Sequence, residues 1–408
     1  MTTLRPKPIK PAGKQAGLIE KENPFASRPL DGGDLSLMMP KRTTMNPWLI
    51  RILIGISAVL LLSIFIFSCV ALKKTSSDRQ RISAAPETAA EKEPLEKIEK
   101  SAETAVGYNL APRRLDGVLV SEELAVYQPL AVMIDNMADA RPPSGLSQAE
   151  VVYEAVAEGD ITRFLALFNP HETLEKIGPV RSARPYFLDW AGEYAPIYAH
   201  CGGSPSALTN LKNGKYEVFD LDQMSNGLYF WRDAGRYAPH NLYTSAELLS
   251  KFAQDKSITG EASFEPWLFK EDATPDNRPN AAKNPTIRFS ANDLYEVNWV
   301  YDREKNDYLR HQNNQIHQDA DGSPIRAKNV IIQYVETVVL DSYGRLATQT
   351  IGSGDAVIFQ DGLAIAGIWK KEITGGRTRF FSQEGDEISL NRGTIWIEAV
   401  PLGKSATY

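Results

Sequence analysis

EVVYEAVAEGDITRFLALFN, residues 150–169, decides how the folded part of this chain is read. Two apolar runs, 150–159 and 161–169, meet at Gly159-Asp160, and both read as short strands. PLAVMIDN (129–136) is an earlier run of the same kind, closing on Asp135 and Asn136. Helical patterns then interleave. In the stretch RSARPYFLDWAGEY, Ser182 can cap a helix that carries Pro185 in its first turn, and APIYAH returns as a strand. GGSPSALTNL opens a second helix with Ser204 as cap and Pro205 at the first position, and TSAE (244–247) is a capping box for AELLSKFAQ. Strands alternating with helices predict an α/β domain over 110–272.

After a Pro/Asn-rich break at 273–286 the pattern changes. VNWVYD, NVIIQYVETVVLD, AVIFQ, LAIAGIWKK, TRFFS and TIWIEAV alternate as strands, with turn signals at Asp361-Gly362 and Glu384-Gly385 and no useful helical period. An all-β domain, sandwich or barrel-like, is expected over 285–405.

Ahead of both lies ILIGISAVLLLSIFIFSCVAL (52–72), about 21 residues without a charge, which is the length that crosses a hydrocarbon core. The expectation is a transmembrane helix over 47–72 with Trp48 at its interface. Residues 1–46, Pro-rich and aperiodic, read as a disordered cytoplasmic tail, and 73–109, rich in Ala, Glu, Lys and Ser, as a flexible linker. The flanking Lys/Arg balance does not decide orientation. The tail as a whole, with eight basic against four acidic residues, favours the cytoplasm for itself and the extracytoplasmic side for the folded domains.

The chain has 408 residues, 43% hydrophobic and 24% charged, enough for two domains with cores. A net charge of -6 and no basic run beyond two residues exclude a general nucleic-acid binder, so any anion site is local. Only Cys69 and Cys201 are present, the first within the apolar span, and stability must come from packing. His200 and Cys201 are adjacent on a strand and face opposite ways, which argues against a thiol nucleophile. HQDADG (317–322) lacks the Glu that would complete a calcium loop and reads as a solvated turn.

The polar residues worth following are few. IGPVRSARPYF (177–187) sets Arg181 and Arg184 at a helix start, where backbone N–H groups favour an anion. The competing reading is a salt bridge with a carboxylate such as Glu154 or Asp189. Ser204 lies at a similar strand-to-helix corner. Asp135 and Arg163 would share its crevice if ligands gather at strand carboxyl ends, and Arg232, Arg236 and His240 in FWRDAGRYAPHN suit a sugar or polymer groove.

PLAVMIDN, ARPPSGLSQAEVVYEAVAEGDITRFLALF, IGPVRSARPYF, APHNLY, IGSGDAVIFQDGLAIAGIWKK and LNRGTIWIEAVP resemble the YerB-like family of bacterial lipoproteins, domain of unknown function 3048. The resemblance covers most of 115–403. It implies a bacterial protein anchored to the membrane with its domains outside the cell, and no established activity. The long tail and full span depart from the lipoprotein form, which leaves lipidation of Cys69 open. A fainter similarity links the strand-end Asp and paired arginines to the LytR-CpsA-Psr glycopolymer transferases, although the spacing departs from their motifs. That similarity implies phosphate held by Arg163, Arg181 and Arg184 and Mg²⁺ held by Asp135.

Three function classes result. One is an envelope protein binding an anionic or glycan ligand through its α/β domain; another is a metal-dependent transferase. A structural or interaction protein without a ligand site is the third. The expected partners are the membrane, through one span, and a cell-wall polymer or an envelope protein, with no nucleic acid.

Overall fold

The computed structural model describes residues 109–408. The expected tail, membrane span and nearly all of the linker lie outside the described residues. Among the described residues no helix is long and apolar enough to cross a membrane.

The described chain is rich in strands, with three α-helices. In order they run β1 (Leu130–Asp135), β2 (Val151–Val156), β3 (Thr162–Phe168), α1 (Pro185–Ala191), β4 (Ile197–His200), α2 (Pro205–Lys212), β5 (Phe219–Asp222) and α3 (Ala246–Asp255). The second part supplies β6 (Thr286–Arg288), β7 (Glu296–Asp302), β8 (Asp307–Gln312), β9 (Gln315–Ile316), β10 (Arg326–Ala327), β11 (Asn329–Val335), β12 (Gly352–Gln360), β13 (Leu363–Lys371), β14 (Arg379–Ser382), β15 (Ile395–Pro401) and β16 (Ser405–Thr407). Short two-stranded ribbons complete the set.

The first part is α/β and the second nearly all strand, as expected, yet they do not build separate sheets. Ten strands form one sheet in the order β14-β13-β12-β11-β15-β2-β3-β1-β4-β5. The join is β15, which pairs in parallel with β11 on one side and with β2 on the other, so that Glu398 stands opposite both Ile332 and Glu154. Its sequence IWIEAVP is buried at every position, the pattern of a strand covered on both faces. Read alone, such a run carries no sign of which sheet it joins. The expected sandwich exists in a different form: β6 to β10 and β16 make a six-stranded sheet, and the second layer is the ten-stranded sheet itself.

Alternation along the strands sends two sets of side chains to two cores. Val132, Ile134, Val152, Phe164, Val330 and Trp396 meet Trp299 and Tyr308 of the six-stranded sheet together with Leu249 and Phe252 of α3. Met133, Tyr153, Leu165, Ile331 and Ile397 meet Phe187, Leu188 and Trp190 of α1 on the other face.

A charged cluster lies inside the first core. Arg310 of β8 is fully buried, and its Nη2 donates to Glu154 Oε2 of β2 at 2.5 Å. The guanidinium also sits over the rings of Trp396, Phe164 and Trp299, at 4.9, 5.6 and 5.8 Å. Glu398 accepts from Trp299 Nε1 at 2.8 Å. Burial first, then the neighbouring Glu154 carboxylate, pushes Glu398 well above the usual carboxylate range, so it is the neutral acid beside the Glu154–Arg310 pair. Removing Arg310 therefore strands one buried negative charge. Arg310→Met is expected to cost roughly 3–5 kcal/mol in urea unfolding. The double variant Arg310→Met/Glu154→Gln recovers more than half of that loss, and no recovery would mean that packing rather than charge dominates.

Candidate functional site

The segment 177–183 is placed by backbone hydrogen bonds on several sides. Asp135 N donates to Pro179 O, Arg181 N to Met133 O, Cys201 N to Arg181 O, and Ala183 N to Gly202 O, at 2.9 to 3.0 Å. It thus wedges between the carboxyl ends of the parallel strands β1 and β4, the position where α/β sheets collect ligands. Val180 N also donates to Leu242 O. Gly178 allows this crossing: its φ is +145°, and a Cβ there would lie 2.8 Å from Leu242 O.

Asp135 is the centre of what gathers there. Its Oδ2 pairs with His240 Nδ1 at 2.7 Å and lies 3.0 Å from Arg181 Nε, while its Oδ1 accepts from Met137 N at 3.1 Å. The angle to Arg181 is poor, and that Nε is left without a hydrogen-bond partner. Arg163, the register partner of Asp135 on β3, is buried, donates Nη1 to Ser182 O at 2.9 Å, and has an unpartnered Nε. Burial, and then the like charges of Arg184 and Arg181, push its guanidinium down to about 10. One carboxylate thus faces two guanidinium groups and an imidazole.

The remaining predicted residues have other duties. Arg184 forms a bidentate pair with Glu158 at 2.5 and 2.6 Å and occupies the cap position of α1 without capping it, where Ser182 had been expected. A salt bridge is thus present, but to neither Glu154 nor Asp189. Glu154 is committed to the opposite face of the sheet, and Asp189 accepts from Thr350 Oγ1 at 2.9 Å. Ser204 caps α2 as expected, its Oγ accepting from Ala207 N at 3.3 Å. Arg232 donates to Asn241 Oδ1, and Arg236 to the carbonyls of Ala140 and Pro142. Asp135 has both oxygens engaged by protein groups. Among the described residues no set of three or more His, Cys, Asp and Glu is arranged to hold a metal.

His200 turns from Cys201, as expected, and pairs with Asp220 Oδ1 at 2.7 Å. The 317–322 stretch is only partly the solvated turn expected of it: His317 and Asp319 are buried, and Asp319 accepts from Leu146 N and Ser147 N. Sequence reasoning missed Glu158, Arg310 and Glu398. The signal available for Glu398 was a single charge inside an otherwise apolar strand, IWIEAVP, whereas Arg310 sits in the polar-rich strand DYLRHQ and gave no such signal.

No deep cavity fronts the Asp135 cluster among the best-formed clefts, which have volumes of 480, 330, 480 and 200 Å³ and are lined by other residues. The cluster is shallow. Arg181 keeps a quarter of its side chain in solvent, and Arg232, Met224, Leu228 and Tyr237 of the stretch 224–237 are exposed.

Comparison with known proteins gives consistent matches. The N-terminal domain model of the protein family of unknown function DUF3048 matches residues 115–259, and its C-terminal domain model matches 286–397. "Putative lipoprotein YerB" of Bacillus subtilis (strain 168) is 34% identical over 291 residues, 70% of this chain and 85% of that protein. The crystal structure of the YerB protein from Bacillus subtilis aligns with a TM-score of 0.65 at 31% identity, covering 73% of this chain and 99% of that one.

The state of Arg163 is open to a stability test. A guanidinium kept only for structure is missed when removed; one kept for a ligand is tolerated poorly by the free protein. Arg163→Met is expected to hold unfolding stability within about 1 kcal/mol of the parent or to raise it. A loss of roughly 3–5 kcal/mol would assign it to the scaffold instead.

Proposed function

The chain belongs to the DUF3048 family, with a relative described as a putative lipoprotein, and on that premise we propose a membrane-anchored extracytoplasmic protein that binds an anionic glycan polymer. The binding surface in this reading is the Asp135 cluster at the carboxyl ends of β1 and β4. The observation that carries it is the surplus of guanidinium groups: Arg181 lies 3.0 Å from Asp135 and Arg163 is its register partner, two guanidinium groups against a single carboxylate. An oxyanion would supply the missing acceptors and offset the cost of keeping Arg163 charged in a buried place.

The shallowness of the surface favours an extended chain over a small molecule. Tyr237, 93% exposed, and Leu228, 88% exposed, offer apolar area in the same stretch that carries the exposed Arg232, and a sugar face with a charged substituent calls for both kinds of group. The anchor in this reading is the apolar stretch 52–72, acting as a single span with the tail inside the cell, and the folded part stands outside beyond a linker. The transferase reading finds less support, because the carboxylate it assigns to Mg²⁺ is already bound by His240 and backbone.

The test is a binding titration of the full chain with polyglycerol phosphate, with a neutral N-acetylglucosamine oligomer alongside. The phosphate polymer is expected to bind, with and without EDTA. Arg181→Ala should weaken it roughly 10- to 100-fold, the worth of one charge-assisted contact, at unchanged melting temperature. Unaltered binding together with lowered stability would make Arg181 structural and end this reading; turnover that requires metal would move the protein to the transferase class.

A further inference from the structure

A second cleft lies between the six-stranded sheet and the loop that follows β1. Gln312 and His317 line a cleft of about 330 Å³, together with Arg141, Asn313, Gln315 and Gln318. That volume is at the low end of ligand pockets, roughly 300–1,000 Å³. No carboxylate lines it.

Arg310 sets the polarity of the cleft from behind. Its Nη1 donates to Gln312 Oε1 at 3.2 Å and to His317 Nδ1 at 2.5 Å. Both acceptors are thereby used, so Gln312 is left with its NH₂ and His317 with an Nε2–H. Burial, and then the charges of Arg310 and Arg141, hold His317 well below the usual imidazole range, which keeps this neutral tautomer. Gln312 and His317 are 5% and 6% exposed, and the Nε2 atom of each is buried without a partner. Two donors with fixed orientation thus lack acceptors in a region where unmet polar groups are costly.

Arg141 adds charge without a counterion. Its nitrogens donate to the carbonyls of Asn136 and Leu294 and to Asn136 Oδ1, and no carboxylate pairs with it among the described residues.

We propose that this cleft binds a small oxyanion, a carboxylate or a phosphate group, whose oxygens accept from Gln312 Nε2 and His317 Nε2 while Arg141 supplies the countercharge. The site is separate from the Asp135 cluster and does not depend on the polymer reading. The alternative occupant is ordered water, which also satisfies buried donors.

Calorimetric titration of the full chain with millimolar inorganic phosphate, and separately with acetate, distinguishes these cases. Saturable binding of either supports the proposal and assigns the anion class. Gln312→Glu keeps the oxygen that Arg310 needs and turns the free donor into an acceptor, so binding is expected to fall at least 10-fold while Arg181→Ala leaves it unchanged. Only five histidines are present, so selective ¹⁵N labelling adds a readout that needs no mutation: the His317 Nε2 signal is expected to shift on saturation. Absence of saturable binding, a static His317 signal, or loss of binding in Arg181→Ala with Gln312→Glu unaffected would each overturn the proposal.

Discussion

A guanidinium with no solvent exposure must be neutralised where it lies, and here that requirement joins two regions distant in sequence. Arg310 stands on the six-stranded sheet and Glu154 on the ten-stranded sheet, 156 residues apart. Breaking the pair leaves a charge in a core of Trp299, Trp396 and Phe164, so the two layers cannot separate cheaply. Glu398 completes the arrangement from β15, held neutral by burial beside the Glu154–Arg310 pair. The regions matched by the N- and C-terminal family models are therefore bound twice, by the parallel pairing of β15 with β2 and by this buried charge pair.

The two candidate sites share an origin in one turn of a strand. Period-two alternation at the end of β1 sends Asp135 toward the helix-covered face and Asn136 toward the sheet-covered face. Asp135 there meets Arg181 and His240, while Asn136 donates to Thr162 Oγ1 at 2.6 Å and to Glu154 Oε1 at 3.3 Å. The loop that follows is braced from both sides: Arg236 holds the carbonyls of Ala140 and Pro142, and Arg141 reaches back to Asn136. Movement at one cluster must pass through this loop to reach the other.

What the sequence made legible follows from what is local. Strands such as PLAVMIDN, the cap at Ser204 and the α/β-then-β order come from short-range patterning, and the structure repeats them, whereas the capping box read over 244–247 moves by one residue, with Ser245 capping α3 by accepting from Leu248 N. Of the paired arginines of IGPVRSARPYF, Arg181 lies at Asp135 while Arg184 pairs with Glu158. Long-range pairing was not legible. A strand like IWIEAVP, apolar but for Glu398 and buried at every position, has no solvent-facing side to fix its register or its sheet, so its position between β11 and β2 could not be read. The partner of Arg184 was missed for the same reason, since Glu158 becomes its neighbour only once β2 and α1 are packed.

Charge at two scales explains why a ligand for either site must be held by direct touch. The chain carries a net charge of -6, and beyond roughly one Debye length of about 8–10 Å that charge is screened, so the chain as a whole does not draw an anion in. Attraction begins only where Arg163, Arg181 and Arg232, or Arg141 with its flanking amides, outweigh the surrounding carboxylates. Such a field does not speed association; it selects partners that can satisfy several oriented donors at once. A polymer with regularly spaced charges meets that demand over a shallow surface, because when one repeat detaches the next can take its place. A single small anion meets it only in a recess whose donors are already fixed, which is the condition that Arg310 imposes on Gln312 and His317.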